Sequence, residues 1–298
     1  MYDNIVRFLK ETDVEYYENY SLKNLSNIKI GGVAALSVCP DSVEKTVELL
    51  SFLSHTNVKF KVVGRMTNTM FRDGFFDGVV IQTSKLNRKS RAEDVYTAEC
   101  GVRLSRLIWD AAKAGLGGAE ELFMIPGCVG GSVFNNCGAH AKCIEDIFVR
   151  GDFYSISQGK IITLEKSEMF FSYRYSVLAS RDLTLLRADF KFEKSDFEYV
   201  KNKISEYISI RRGSQPLDYP SLGSVYKRDN GVGAGYYIEK AGLKGYRIGD
   251  AEISKKHAGF ILNVGNATSF DVDELIMHTK KSVYEKFGVD LKEEIEII

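Results

Sequence analysis

The chain has 298 residues, a length that corresponds to roughly two domains. Its composition, 44% apolar and 27% charged, is that of a globular protein and excludes disordered and fibrous classes. Forty basic residues balance forty acidic ones, so the basic excess of a general nucleic-acid binder is missing, while a local cationic pocket for an anion stays compatible.

Five cysteines, Cys39, Cys100, Cys128, Cys137 and Cys143, form no C-x-x-C pair, which argues against a disulfide framework or a zinc knuckle. Reduced thiols of a cytoplasmic protein are expected. Cys137 and Cys143 flank His140, but no second ligand pair accompanies them, so no metal is expected. No apolar run spans a bilayer, and the opening MYDNIVRFLK is too polar for a signal peptide. No membrane and no nucleic-acid partner is expected.

In chain order, apolar Ile5, Val6, Phe8 and Leu9 predict a short amphipathic helix over 4–15. Asp41 and Glu44 read as a capping box, with Val43, Val47, Leu50 and Leu53 continuing at helical spacing to about His55. The alternating, β-branched stretch 58–63 predicts a strand running into Gly64. Further strands are expected at 78–83, 94–98, 144–152 and 183–192. A helix is expected over 104–113, stopped by Gly115. A long helix follows over 196–211, then a segment rich in Gly, Ser, Pro and Tyr over 213–235. Asp271 and Glu274 read as a second capping box, opening a helix that carries Val272, Leu275, Ile276, Thr279 and Val283 and stops before Gly288. A domain boundary is expected near residue 200.

Two glycine-bearing segments have the composition of anion cradles, because glycine lets backbone N–H groups approach a phosphate. One is Gly64-Arg65-Met66-Thr67-Asn68, directly after a strand. The other is Ile125-Pro126-Gly127-Cys128-Val129-Gly130-Gly131, followed by Asn135, Asn136 and Gly138. Neither is a P-loop or a G-x-G-x-x-G fingerprint. Gly64 alone reads as a tight turn, whereas the glycines of the second segment beside Asn135 and Asn136 point to a ligand.

Seven motifs, in order, make the chain resemble the UDP-N-acetylenolpyruvoylglucosamine reductase (MurB) family. They are Ile28-Lys-Ile-Gly-Gly32; Ile125-Pro-Gly with Gly130-Gly131 and Asn136-Cys-Gly-Ala139; Phe171-Ser-Tyr-Arg-Tyr-Ser176; Gln215-Pro216 with Tyr219-Pro-Ser-Leu-Gly-Ser-Val-Tyr-Lys227; Ala241-Gly-Leu-Lys-Gly245; Ser254-Lys-Lys-His-Ala-Gly-Phe-Ile261; and Phe287-Gly-Val-Asp-Leu-Lys-Glu-Glu294. The short stretch before Gln215 is similar to the compact class, which lacks an extra substrate loop. The resemblance implies an α+β fold: a two-subdomain FAD-binding fold of the vanillyl-alcohol-oxidase/PCMH type plus a C-terminal α+β substrate domain. The expected divisions are residues 1–85 and 86–200 for the FAD subdomains and 201–298 for the substrate domain.

The resemblance also implies FAD as cofactor, NADPH as reductant, and a UDP-sugar enol ether reduced to a lactyl ether for peptidoglycan synthesis in the cytoplasm. A monomer is expected. Cofactor contacts fall on Gly64, Arg65, Thr67, Asn68, Asp73, Ile125, Pro126, Gly127, Gly130, Gly131, Asn136 and Gly138. Substrate contacts fall on Tyr173, Lys227 and Arg228. Catalysis falls on Arg174, which grips the substrate carboxylate, on Ser224 as proton donor, and on Glu294, which as a buried neutral acid donates a hydrogen bond to the developing enolate. Taken singly, the three would read as a surface arginine, a turn serine and a solvated charge run. His257 reads as a local packing or capping residue, and Leu107 and Trp109 as core.

The flavin half departs from the family pattern. Met66 stands for a glycine, Thr67 for a serine, and Met124 and Ala141 for glycines, while in the substrate half Tyr236 stands for a common lysine. Two alternatives stay open, the first of them motivated by Met66 and Met124. One is a flavin-poor paralogue that binds a UDP-sugar without hydride transfer. The other is an oxidase-like relative with flavin attached through His140 or Cys137.

Overall fold

The computed structural model describes residues 2–298. Two compact units form, and both are discontinuous in sequence. One holds the chain through Asn19 together with Ala35–Arg65 and Asp77–Ser209. The other holds Tyr20–Ala34, Met66–Phe76 and Ile210–Ile298.

The first unit is built on two sheets. A four-stranded sheet runs Glu15–Ser21, Val33–Cys39, Phe75–Gln82, Lys59–Val63. Its last two strands are parallel, with Val63 opposite Gln82. The connection between them is the loop that carries Gly64 to Asp73. Val43–Ser54 packs its leucine face, Leu49, Leu50 and Leu53, into the core beside this sheet. Each such leucine is fully buried, worth about 1.5–3 kcal/mol. The five-stranded antiparallel sheet runs Lys160–Glu165, Phe148–Ser155, Leu183–Lys191, Val95–Glu99, Lys89–Ala92. Leu104–Lys113 lays Leu104, Leu107, Ile108, Ala111 and Ala112 into the larger core of this unit. Leu107 is buried and Trp109 packs edge-on to Phe197 at 5.7 Å, as expected of core residues.

The second unit gathers early and late segments around one core. Ile28, Ile30 and Met70 pack with Leu222, Val225, Ile261, Leu275 and Val283. Its four-stranded antiparallel sheet runs Ser221–Ser224, Phe260–Asn263, Ala251–Ile253, Arg247–Ile248. The long helix Ser269–Phe287 buries Val272, Leu275, Ile276, Thr279 and Val283, the face read from the sequence. The C-terminal strand Glu296–Ile297 pairs in parallel with Thr69–Met70.

Several expected boundaries move, each for a local reason. The first helix is Tyr2–Glu11, not 4–15, because Asp13 adopts φ 50 and turns the chain into the strand Glu15–Ser21. That strand lies at a sheet edge with most side chains exposed, so its polar sequence carried no alternation to read. The second helix is capped by Ser42, whose side chain accepts the Lys45 N–H, rather than by Asp41. The expected strand 144–152 begins only at Phe148. Before it the Asp146 carboxylate accepts the Cys143 N–H and winds Ile144–Asp146 into a 3₁₀ turn. The last helix opens one turn earlier than expected, on a reciprocal box between Thr268 and Asp271, and closes at Gly288 with φ 68. The segment 213–235 is not all loop: it holds the strand Ser221–Ser224 and the start of the helix Ala234–Lys240.

Candidate active site

In the first unit the glycines have distinct physical reasons. A Cβ on Gly64 would sit 2.5 Å from the Cys128 Sγ, and one on Gly138 would sit 2.7 Å from the Lys142 carbonyl. One on Gly130 would meet Cys100 at 3.2 Å. Packing requires the first two, and Gly130 is tightly packed. Gly131 differs. It is exposed, it lies in the short helix Val129–Phe134, and a Cβ there would meet nothing within 4 Å. A helical glycine costs about 1 kcal/mol relative to alanine. No protein contact repays that cost at Gly131, where the backbone is open to the outside.

The N–H groups of Val129 and Gly130 are not part of such a cradle. They donate to Val102 and Cys100 carbonyls at 2.8 and 2.7 Å. Gly127, at φ 147, sets the turn before the helix, and its carbonyl accepts the Leu104 N–H. Ile125 is half-buried against the core and Pro126 is exposed. Arg65 presents an exposed guanidinium.

Asn136 and Gly138 build the Arg174 turn. The buried Asn136 amide donates to the Ser172 carbonyl at 3.0 Å, and its oxygen accepts the Glu145 N–H at 3.0 Å. Ser172 and Tyr175 exchange backbone hydrogen bonds, both 3.1 Å, which closes a tight turn over Tyr173 and Arg174. Arg174 takes φ 54, a left-handed conformation costly for a side chain of this size. Its Nη2 donates to the Gly138 carbonyl at 3.1 Å, and its guanidinium lies 5.1 Å from the exposed Tyr173 ring. Strain and anchor together fix the direction of one cation.

In the second unit, Ser224 and the C-terminal segment come together. Gly223, at φ 76, interrupts the ladder between Ser221 and Ser224, and Ser224 then pairs with Phe260. Such irregularities are frequent beside functional groups. Val225 donates to the Gly259 carbonyl at 2.8 Å and accepts the Glu294 N–H at 2.7 Å. Lys227 donates to the Lys292 carbonyl at 2.8 Å. Glu294 therefore lies on backbone bonded to the residue next to Ser224, and both are half-buried. Arg228 is exposed at the entry to a hairpin, Asp229 to Val232, whose central residues Asn230 and Gly231 have φ 46 and 83. The Asn-Gly pair was the available signal for that turn.

Three residues expected at the cofactor lie in this unit. Thr67 is half-buried. The Asn68 amide donates to the Glu294 carbonyl at 2.9 Å. The Asp73 carboxylate accepts the Ser269 N–H at 2.6 Å while its own N–H donates to the Ser269 hydroxyl at 2.9 Å. That exchange ties the loop to the first turn of the last helix. His257 is a local capping residue, as expected: Gly259 N–H donates to its Nδ1 at 3.1 Å, and burial lowers its pKa.

Two models of known families cover most of the chain. An FAD binding domain matches residues 34–165, and the C-terminal domain of UDP-N-acetylenolpyruvoylglucosamine reductase matches residues 215–298. A UDP-N-acetylenolpyruvoylglucosamine reductase of Caldicellulosiruptor saccharolyticus is 42% identical over 98% of this chain and 94% of its own. The chain belongs to the UDP-N-acetylenolpyruvoylglucosamine reductase family. The reductase of that name from Caldanaerobacter subterraneus is 38% identical over 99% of this chain and 97% of its own. The crystal structure of the Thermus caldophilus reductase aligns with a TM-score of 0.80 at 29% identity, covering 95% of this chain and 98% of that one. The fold is the α+β architecture that the motifs implied, an FAD-binding domain followed by the reductase C-terminal domain.

Two of the departures from the family's glycines, Met66 and Ala141, are of different kinds. Met66 takes φ 45, a left-handed conformation that favours glycine, and is 3% exposed. Ala141 takes φ 71 but is exposed, at the tip of the hairpin that pairs Ala139 with Lys142. Ala141→Gly therefore relieves strain without removing a buried group. We expect it to stabilise the protein by about 0.5–1 kcal/mol, read as a rise in Tm. At Met66 the same relief is set against the loss of a buried side chain, so Met66→Gly should lower Tm.

Gly131→Ala should leave or raise Tm, since it fits the helix and the space, and should weaken flavin binding at least several-fold. Gly64→Ala should cost about 1–3 kcal/mol through overpacking on Cys128 and recover in combination with Cys128→Ala. Equal flavin affinity in Gly131→Ala and the wild type would remove Gly131 from the cofactor site.

Proposed function

We propose that this chain reduces the enolpyruvyl ether of UDP-N-acetylglucosamine to UDP-N-acetylmuramate, with NADPH as reductant and FAD as resident cofactor. The observation that carries the reading is the bond from the Glu294 N–H to the Val225 carbonyl, which sets Glu294 beside Ser224. Those two residues lie 70 positions apart in a chain that matches a relative of the reductase name over 94% of that relative's length.

The residues fit FAD on this chain's own geometry: an open backbone at Gly131, an exposed cation at Arg65, and the turn at Gly127. When bound, FAD supplies the two-electron chemistry. Arg174 pairs with the substrate carboxylate, and the charge that builds there in the transition state strengthens the pair. Ser224 gives its hydroxyl proton to the carbon next to that carboxylate. A serine is a weak acid, and the transfer succeeds because an enolate-like carbon is a strong base. Glu294, as a neutral acid, donates a hydrogen bond to the enolate oxygen. Tyr173, Lys227 and Arg228 bind the substrate. A cytoplasmic monomer goes with this reading, and sedimentation tests the second term.

The flavin-free alternative finds no support, because the FAD binding domain matches across 34–165. Attachment through Cys137 is also disfavoured: burial pushes its thiol up to about 11, so little thiolate forms near neutrality. His140 sits exposed at a hairpin tip, its ring 5.1 Å from Tyr207. Anaerobic mixing tests the function directly. NADPH should bleach the flavin, and the enolpyruvyl substrate should restore its colour. A reduced flavin indifferent to that substrate would contradict the reading.

A further inference from the structure

We infer that Asn68 is a positioning residue for Glu294, rather than only a member of the flavin loop. The inference rests on the reductase reading above and adds a residue to its machinery. Two bonds join Asn68 to the C-terminal segment on either side of Ile295. Its side-chain amide donates to the Glu294 carbonyl at 2.9 Å, and its own carbonyl accepts the Glu296 N–H at 2.9 Å. Beyond it, Ile298 N–H donates to Met70 and Arg72 N–H donates to Ile298, both at 2.9 Å.

Glu294 is thereby held at both peptide groups. Its N–H is on the Val225 carbonyl at 2.7 Å, and its carbonyl is on the Asn68 amide. The first bond comes from the strand end that carries Ser224. The second comes from the loop after Gly64. A residue fixed at its N–H alone can still rotate about its own ψ. The amide of Asn68 restrains that rotation, and with both flanking peptide groups held, the Cα of Glu294 and the root of its side chain are fixed in place. Catalytic groups displaced by about 1 Å lose on the order of 10²-fold in rate, so a lock of this kind has kinetic weight.

Two other features make the lock specific. The parallel pairing of Glu296–Ile297 with Thr69–Met70 uses backbone only, so it survives a change of the Asn68 side chain. Ile295 is 7% exposed and anchors the segment in the core of the unit independently. Removing the amide should therefore loosen Glu294 without detaching the C-terminus. Asn68 also precedes the strand Thr69–Met70 by one residue, within the loop expected to meet the flavin. One short segment would then answer for both the cofactor and the acid.

Asn68→Asp tests this, because the shape is kept while the N–H donor is lost. Flavin affinity and the two half-reactions are measured across pH beside the wild type. We expect the substrate half-reaction to fall about 10–100-fold at neutral pH, well beyond any change in the NADPH half-reaction. As pH falls, the introduced carboxyl group takes a proton and regains an O–H donor. The ratio of variant to wild-type rate should rise toward acid. Amide exchange at 293–298 in the flavin-bound protein should quicken in the variant at neutral pH and slow again in acid, after correction for intrinsic rates. A flat ratio with unaltered exchange would overturn the inference. So would a pH dependence confined to flavin affinity, which would make Asn68 a cofactor contact alone. If the wild type itself fails to turn over the enolpyruvyl substrate, the reductase reading fails instead, and the exchange result still reports on the lock.

Discussion

Ser224→Ala should leave the reduction of bound flavin by NADPH close to the wild-type rate and slow its reoxidation by the enolpyruvyl substrate about 10²–10⁴-fold, the range of a lost general acid. The site makes this a clean substitution. Ser224 is half-buried at the end of a strand, and its backbone pairing with Phe260 is independent of the hydroxyl. The left-handed residue that breaks the ladder is Gly223, which the substitution does not touch. Stopped-flow absorbance under anaerobic conditions separates the two half-reactions. Equal slowing of both would make Ser224 a structural residue.

Glu294 carries the second large effect. Glu294→Ala should reduce the substrate half-reaction about 10²–10³-fold, the usual cost of losing a donor to a developing oxyanion. Glu294→Gln retains an N–H donor of similar shape and should keep about tenfold more activity than alanine. Both substitutions preserve the bonds to Val225 and Asn68, because those involve only the Glu294 backbone. The C-terminal segment thus stays in place while its acid is changed. Glutamine no better than alanine, in single-turnover measurements, would show that Glu294 must give up or take a proton rather than donate a fixed hydrogen bond.

The regular elements with a buried stripe were legible from spacing alone. Leu104–Lys113 and the face of Ser269–Phe287 are found where the apolar periodicity places them. The edge strand Glu15–Ser21 was not, because an exposed edge imposes no alternation on its side chains. Helix starts were misread by one to three residues. Sequence offers several acceptors near each start, and only the backbone geometry chooses Ser42 over Asp41, or Thr268 over Asp271.

At the site, Arg174, Ser224 and Glu294 were visible as motif residues, but the means of holding them was not. Asn136 fixes the Arg174 turn from 36 positions away and Asn68 meets Glu294 across 226, distances over which no local pattern speaks. The same holds for Asp73, whose carboxylate serves the first turn of a helix 196 positions later. A motif names the residue type. What that residue is bonded to depends on pairings such as Glu296 with Thr69, which form only in the folded unit.

The most direct test of the function is the visible spectrum of the purified protein through one anaerobic cycle. The protein as isolated should be yellow, bleach on stoichiometric NADPH, and recover its full flavin absorbance when UDP-N-acetylglucosamine enolpyruvate is added, with one UDP-N-acetylmuramate formed per flavin. A colourless protein with no affinity for added FAD, or a bleached flavin that the enolpyruvyl substrate leaves bleached, would contradict it.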